Sequence, residues 1–302
     1  MLNSAQYLID KYYTNSNFES KVISSYWRDL TKNSYFISNA TTRIEDIKIK
    51  GYGFGDYKKR NILGLIRNLP TFLYLQLRVI PKCNKYILSV AIDNAKKTDQ
   101  LITHDSTRFV FTLDLLQKYV PDLNHKTVVI IGDGYARMGS LIKGVYPNAK
   151  IIFINLGRTL LFDLVYAKKA FPQATVKIFN FDSGPNADLN FLEAEEFTKF
   201  NISGDLFINI ASMQEMNYSE INKYFKVVKD QKLGTYFYCC NRESKELPDG
   251  SIIEFKNFPW AGLKTVMLEE CVWHREFPKN RPPFIGRFDG PVLHSISKVV
   301  GQ

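Results

Sequence analysis

Thr127-Val-Val-Ile-Ile-Gly-Asp-Gly-Tyr-Ala-Arg-Met-Gly139 is the stretch on which the fold turns. Its first five residues are β-branched without a break, the pattern of a strand buried on both faces of a parallel sheet. Gly132 and Gly134 then allow a sharp turn and a close approach by a ligand, while the helix expected over 138–145 offers its free N–H groups at the same point. Downstream, strand-like runs at 150–155, 175–181, 205–210, 234–240, 264–272 and 292–300 are interleaved with helical stretches at 160–170 and 218–229. With 127–131 these make seven strands. The alternation predicts an α/β fold: a Rossmann-like, doubly wound, mostly parallel seven-stranded sheet with ligands at the carboxyl ends of its strands.

Upstream of His125 the texture is shorter and more mixed, with an amphipathic start, a glycine-rich turn at 51–55 and apolar runs at 62–66, 72–80 and 86–94. The leucines of Thr112-Leu-Asp-Leu-Leu-Gln-Lys-Tyr119 have helical spacing and stop before Pro121. The expectation is a mainly helical N-terminal region over 1–124 and a Rossmann-like domain over 125–302. Residues 1–124 carry 18 basic and 11 acidic side chains, against 22 and 19 in 125–302, so the first part holds most of the +10 net charge. A basic region attracts an anionic partner, and Lys58, Lys59 and Arg60 are the cluster expected to capture one.

Apolar residues at 45% and charged residues at 23% exclude a disordered, collagen-like or coiled-coil chain of 302 residues. No apolar stretch reaches the roughly 18 residues that span a bilayer, and the polar start has no secretory h-region, so a cytoplasmic location is expected. Cys83, Cys239, Cys240 and Cys271 lack CxxC spacing and read as structural thiols. No spacing predicts a metal site.

The glycine loop departs from the dinucleotide fingerprint, because the third glycine position is Arg137, and no GxxxxGK[ST] phosphate loop occurs. With its strand and helix order it resembles motif I of class I S-adenosylmethionine-dependent methyltransferases. Together with Thr112-Leu-Asp-Leu-Leu, Tyr146-Pro-Asn-Ala-Lys150 and Ala211-Ser-Met-Gln-Glu-Met216, it is similar to the sugar O-methyltransferase family of bacterial polysaccharide clusters. The resemblance covers about 105–238, less than half the chain. It implies S-adenosylmethionine as cofactor, held by Gly132, Asp133, Gly134, Tyr135, Asn155, Phe181, Asp182, Ala211 and Ser212. Two positions depart from the family: Ile130 stands where an acidic residue precedes the first glycine, and Asn155 replaces the acidic residue that holds the ribose. Asp133 is expected to supply part of the missing charge, facing the cationic end of the cofactor's amino acid.

Methylating a sugar hydroxyl asks for a base, because such a hydroxyl ionises far above neutrality. Of the four histidines, His125 precedes the first strand and His294 lies in the last, which leaves His104 and His274. His274, after the sixth strand-like run, and Glu215, just past the fourth, are the two candidate bases, with a slight preference for His274. Arg242 and Arg275 are expected to hold an anionic acceptor, a nucleotide-linked sugar or glycan. Nucleic acid is the weaker reading. Asn209-Ile-Ala-Ser is not the Asn/Asp-Pro-Pro-aromatic motif of exocyclic-amine methylation, and there is no Pro-Cys dipeptide for a cytosine C5 mechanism. An RNA 2′-hydroxyl methyltransferase and a non-catalytic Rossmann-like module of glycan assembly remain the alternatives.

Overall fold

In a computed structural model of the chain, residues 7–11, 24–26, 35–37, 48–50, 66, 69–179, 186–279, 282–283 and 285–300 are described. Eight strands form the central sheet: β1 Thr127–Ile131, β2 Lys150–Asn155, β3 Val176–Ile178, β4 Leu189–Glu193, β5 Leu206–Ile210, β6 Tyr236–Arg242, β7 Leu263–Glu270 and β8 Val292–Val299. Their order across the sheet is β7-β8-β6-β5-β1-β2-β4-β3. Strands β1 to β6 run parallel to one another, and β8 pairs antiparallel with both β6 and β7. The mostly parallel, doubly wound architecture is therefore the one the sequence predicts.

The seventh-strand count is corrected to eight. The described part of the run at 175–181 holds the edge strand β3, and β4, which the sequence reading missed, is inserted between β3 and β2. In β4 the polar Asn190 breaks the apolar pattern, yet it is fully buried and satisfied, its amide donating to Ile151 O at 3.3 Å and to Ala187 O at 2.8 Å.

Alternation along β1 sends Val128 and Ile130 into one core and Val129 and Ile131 into the other. The first core lies under α1 Lys85–Lys97, α2 His104–Tyr119, α3 Arg137–Val145 and α4 Gly157–Ala170; the second lies under α5 Tyr218–Lys229. Ile87, Val110 and Leu113 share the first core with Val128 and Ile142, so α1 and α2 belong to the helical layer on the sheet and the core runs across position 125. Two polar ends fix α2 and α1: Thr103 and Ser106 form a reciprocal capping box, and the Asn84 side chain accepts from the N–H groups of Tyr86 and Ile87.

Earlier in the chain, Tyr35–Ile37 pairs antiparallel with Lys48–Lys50, and a short helix covers Leu69–Tyr74. The glycine-rich turn at 51–55 and the basic cluster Lys58, Lys59 and Arg60 lie outside the described residues. Among the described residues, no helix is long and apolar enough to cross a membrane.

Candidate active site

Strand order reverses beside β1: β2 lies on one side of it and β5 on the other, so the loops after these strands diverge and leave a crevice between them. A cleft of about 210 Å³ occupies this place. Gly132, Asp133 and Gly134 after β1, Asn155 and Leu156 after β2, Ala194 after β4, and Ala211, Ser212 and Glu215 after β5 all line it. His274, from the short α6 Val272–Arg275, faces it together with Asp105, Arg108 and Phe109 of α2.

The glycine loop holds an unusual backbone. Gly132, Gly134, Tyr135 and Ala136 all have positive φ, at 74°, 64°, 108° and 49°. Two different constraints act on the glycines. A Cβ on Gly132 would run into Ser212, whereas a Cβ on Gly134 would meet no atom within 4 Å and would project into open space. The loop is pinned from beneath by Asp163 of α4, a fully buried carboxylate. Its Oδ1 accepts from the N–H groups of Tyr135 and Ala136, both at 2.7 Å, and its Oδ2 accepts from Asn155 Nδ2 at 2.8 Å. Those bonds stabilise two left-handed non-glycine residues that are otherwise strained.

Asp133 caps α3, its two oxygens accepting from Met138 N–H at 3.0 Å and Gly139 N–H at 2.8 Å. Burial pushes its carboxyl up to about 6, against the opposing effect of those N–H groups. Asp163 is raised well above the ordinary carboxylate range by burial, and the charge of Asp133 adds to that. The side chain of Asn155 is likewise engaged, accepting from Leu156 N–H at 3.0 Å and Thr159 Oγ1 at 2.7 Å while donating to Asp163. Tyr135 turns inward, its ring edge-on to Phe162 at 5.4 Å.

An Asp163→Asn variant is the direct test of this support. The amide can keep the two N–H bonds only by turning its own NH2 towards that of Asn155, leaving one buried donor unpaired. A loss on the order of 1–3 kcal/mol is expected, read as a lower denaturation midpoint. An unchanged midpoint would remove Asp163 from the account.

The loop after β5 is locked by a buried amide network. Asn209 Nδ2 donates to Ile131 O at 3.0 Å, Asn241 Nδ2 donates to Asn209 Oδ1 at 2.9 Å, and Arg242 N–H donates to Gln214 Oε1 at 2.7 Å. These bonds fix Ala211, at φ 59°, and present Glu215 to the cleft. Glu215 Oε1 lies 2.6 Å from Lys245 Nζ, and Tyr26 also hydrogen-bonds the carboxylate. Burial raises the Glu215 carboxyl, while Lys245 and Arg242 oppose that shift. Arg242, whose charge opposes that shift, is not among the residues lining the cleft and has its guanidinium 4.0 Å from the centre of the Phe288 ring.

The other candidate base is a poorer proton acceptor than free imidazole. His274 is buried, and burial, with Arg108 adding to it, holds its imidazolium form well below the usual histidine range. Arg275 pairs with Glu270 at 2.7 Å and does not line the cleft. Phe181 and Asp182 lie outside the described residues, and Ala194 after β4 borders the cleft at the third-strand position.

Several residues in the site escaped the sequence reading. Arg108 pairs with Asp105 at 2.7 Å and donates to the Trp273 and Glu276 carbonyls, tying α2 to α6. Two N-terminal segments also reach the same rim. Lys11 Nζ lies 2.6 Å from Glu193 Oε2 at the end of β4, and Ser24 lines the cleft, its hydroxyl donating to Glu215 O.

No family model matches the chain, and no curated protein matches it. Solved structures similar to it include a chain from the Haloferax volcanii complex of the Trm112 methyltransferase activator with a methyltransferase, at 15% identity and TM-score 0.44, covering 69% of this chain and 95% of that one. The mitomycin 7-O-methyltransferase MmcR is 11% identical, with TM-score 0.42 over 71% of this chain and 60% of its own. The cyclopropane synthase MmaA2 from Mycobacterium tuberculosis is 10% identical, with TM-score 0.44 over 65% and 85%. At these identities the likeness is one of fold.

Proposed function

We propose that the protein is an S-adenosylmethionine-dependent O-methyltransferase acting on a hydroxyl of an anionic sugar, either a nucleotide sugar or a bacterial surface glycan. The observation that carries the reading is the glycine loop: Gly134 opens onto the cleft at the strand-order reversal, in a backbone held there by Asp163. That cradle fits a nucleoside-bearing cofactor, because the space a Cβ would occupy is the space through which such a ligand approaches the backbone. Gly132, Gly134, Ala194, Ala211 and Ser212 are the residues that would hold it, with Asn155 and Asp133 shaping the loop. S-adenosylmethionine supplies an electrophilic methyl group on a sulfonium sulfur.

Glu215 is the base of this proposal. Burial raises its carboxyl and so makes it a stronger proton acceptor than an exposed glutamate, while Lys245 and Arg242 favour the charged form. His274, Phe109 and the Asp105–Arg108 pair form the opposite wall, against which the acceptor is held. Arg242 and the basic N-terminal region supply the positive charge an anionic acceptor requires. The test is a turnover screen with methyl-labelled cofactor against nucleotide sugars, glycans and RNA. Label in the sugar acceptors is the expected result, and label only in RNA would contradict the acceptor class.

A further inference from the structure

The second polar cluster of the molecule lies behind the acceptor wall, in the core between α2, β6 and β8. One ligand-type atom each from Cys240, Cys271 and His274 lie within 4.8 Å of one another, and all three residues are buried. They come from three elements: Cys240 from β6, Cys271 from the end of β7, and His274 from α6. His294 of β8 stands directly opposite Cys240 in the antiparallel register. Its Nδ1 meets Tyr238 OH at 3.2 Å, while Nε2 is buried without a hydrogen-bond partner, 3.4 Å from a Glu269 carboxylate oxygen.

The geometry points to a zinc site made by Cys240, Cys271 and His274, with His294 lying outside that group. Two thiolates and imidazole are the donor set that selects Zn²⁺ over hard cations. Bonds of about 2.3 Å to sulfur and 2.0 Å to nitrogen bring tetrahedral ligand atoms to roughly 3.5–4 Å from one another, so the cluster needs only a small contraction. Charge favours the arrangement too. A dication with two thiolates is neutral overall, which suits a core where an unpaired ion would be costly. Thr112 Oγ1, 3.5 Å from His274 Nε2, steadies the ring. Zinc here would tie β6, the end of β7 and α6 together behind the cleft wall, and would commit the single lone pair of neutral His274 to the metal.

This inference does not depend on the cofactor reading, and its test reads metal alone. Full-length protein grown with added zinc is expected to carry one equivalent of the metal by elemental analysis. After chelation, titration with Co²⁺ is expected to give intense thiolate-to-cobalt charge transfer and the visible bands of tetrahedral cobalt. The double variant Cys240→Ala/Cys271→Ala should lose the charge transfer, whereas Cys83→Ala and Cys239→Ala should keep it. Zinc-free protein that gives only the weak spectrum of octahedral cobalt would overturn the proposal without recourse to any variant. Charge transfer that survives the double variant would overturn it equally.

Discussion

Glu215→Gln is expected to lower kcat at least about a hundredfold while leaving S-adenosylmethionine affinity unchanged, the usual cost of removing a general base. The substitution keeps the shape of the side chain and removes its capacity to take a proton. It also leaves Lys245 without its ion-pair partner at 2.6 Å, so a melting curve must accompany the kinetics. Steady-state rates with the best acceptor of the turnover screen decide the matter. A kcat within a few-fold of the wild type would eliminate Glu215 as the base. If His274→Gln abolished turnover while Glu215→Gln did not, the proton acceptor would be the imidazole, and the zinc-bound state would be excluded during turnover.

The second large effect is expected at the glycine loop. Gly134→Val should abolish S-adenosylmethionine binding, because Gly134 lines the cleft and its Cβ position is open space that the branched side chain would begin to fill. The left-handed φ of 64° adds a stability cost of about 1–2 kcal/mol for a residue with a Cβ. Unfolding should nevertheless stay cooperative, since a Cβ at this position meets no atom within 4 Å. Calorimetric titration with the cofactor beside a thermal melt separates the two effects. Retained affinity in a folded variant would show that the loop does not carry the cofactor.

Much of this architecture was legible because burial leaves a pattern. Strands β1 and β2 are near-continuous apolar runs, and both were bounded correctly; α5 follows from its 3.6-residue spacing. What stayed hidden depends on polar groups satisfied in the interior. β4 went unread where Asn190 interrupts its apolar run, although that amide is satisfied in the interior by Ile151 O and Ala187 O. Asp163 sits among apolar residues in α4, and a carboxylate in so apolar a helix was the available signal that something must bond to it. The cleft-lining role of Asp105 and Arg108 left no signal, since an i, i+3 ion pair in the first turn of a helix is ordinary.

The cysteines show the same limit. Reading the thiols as structural passed over the short spacing Cys271-Val-Trp-His274, and the approach of Cys240 to that pair depends on the sheet order, in which β8 lies between β6 and β7. Asn155 illustrates the converse case. It lines the cleft at the end of β2, and its amide is bonded to Leu156, Thr159 and Asp163, which makes it a support for the loop.

Calorimetric titration of the full chain with S-adenosylmethionine tests the central claim most directly. One-to-one saturable binding, displaced by S-adenosylhomocysteine and accompanied by a higher melting temperature, is the expected result. No heat of binding and no change in melting temperature at saturating cofactor would contradict it, and would leave the cleft at the strand-order reversal to a different ligand.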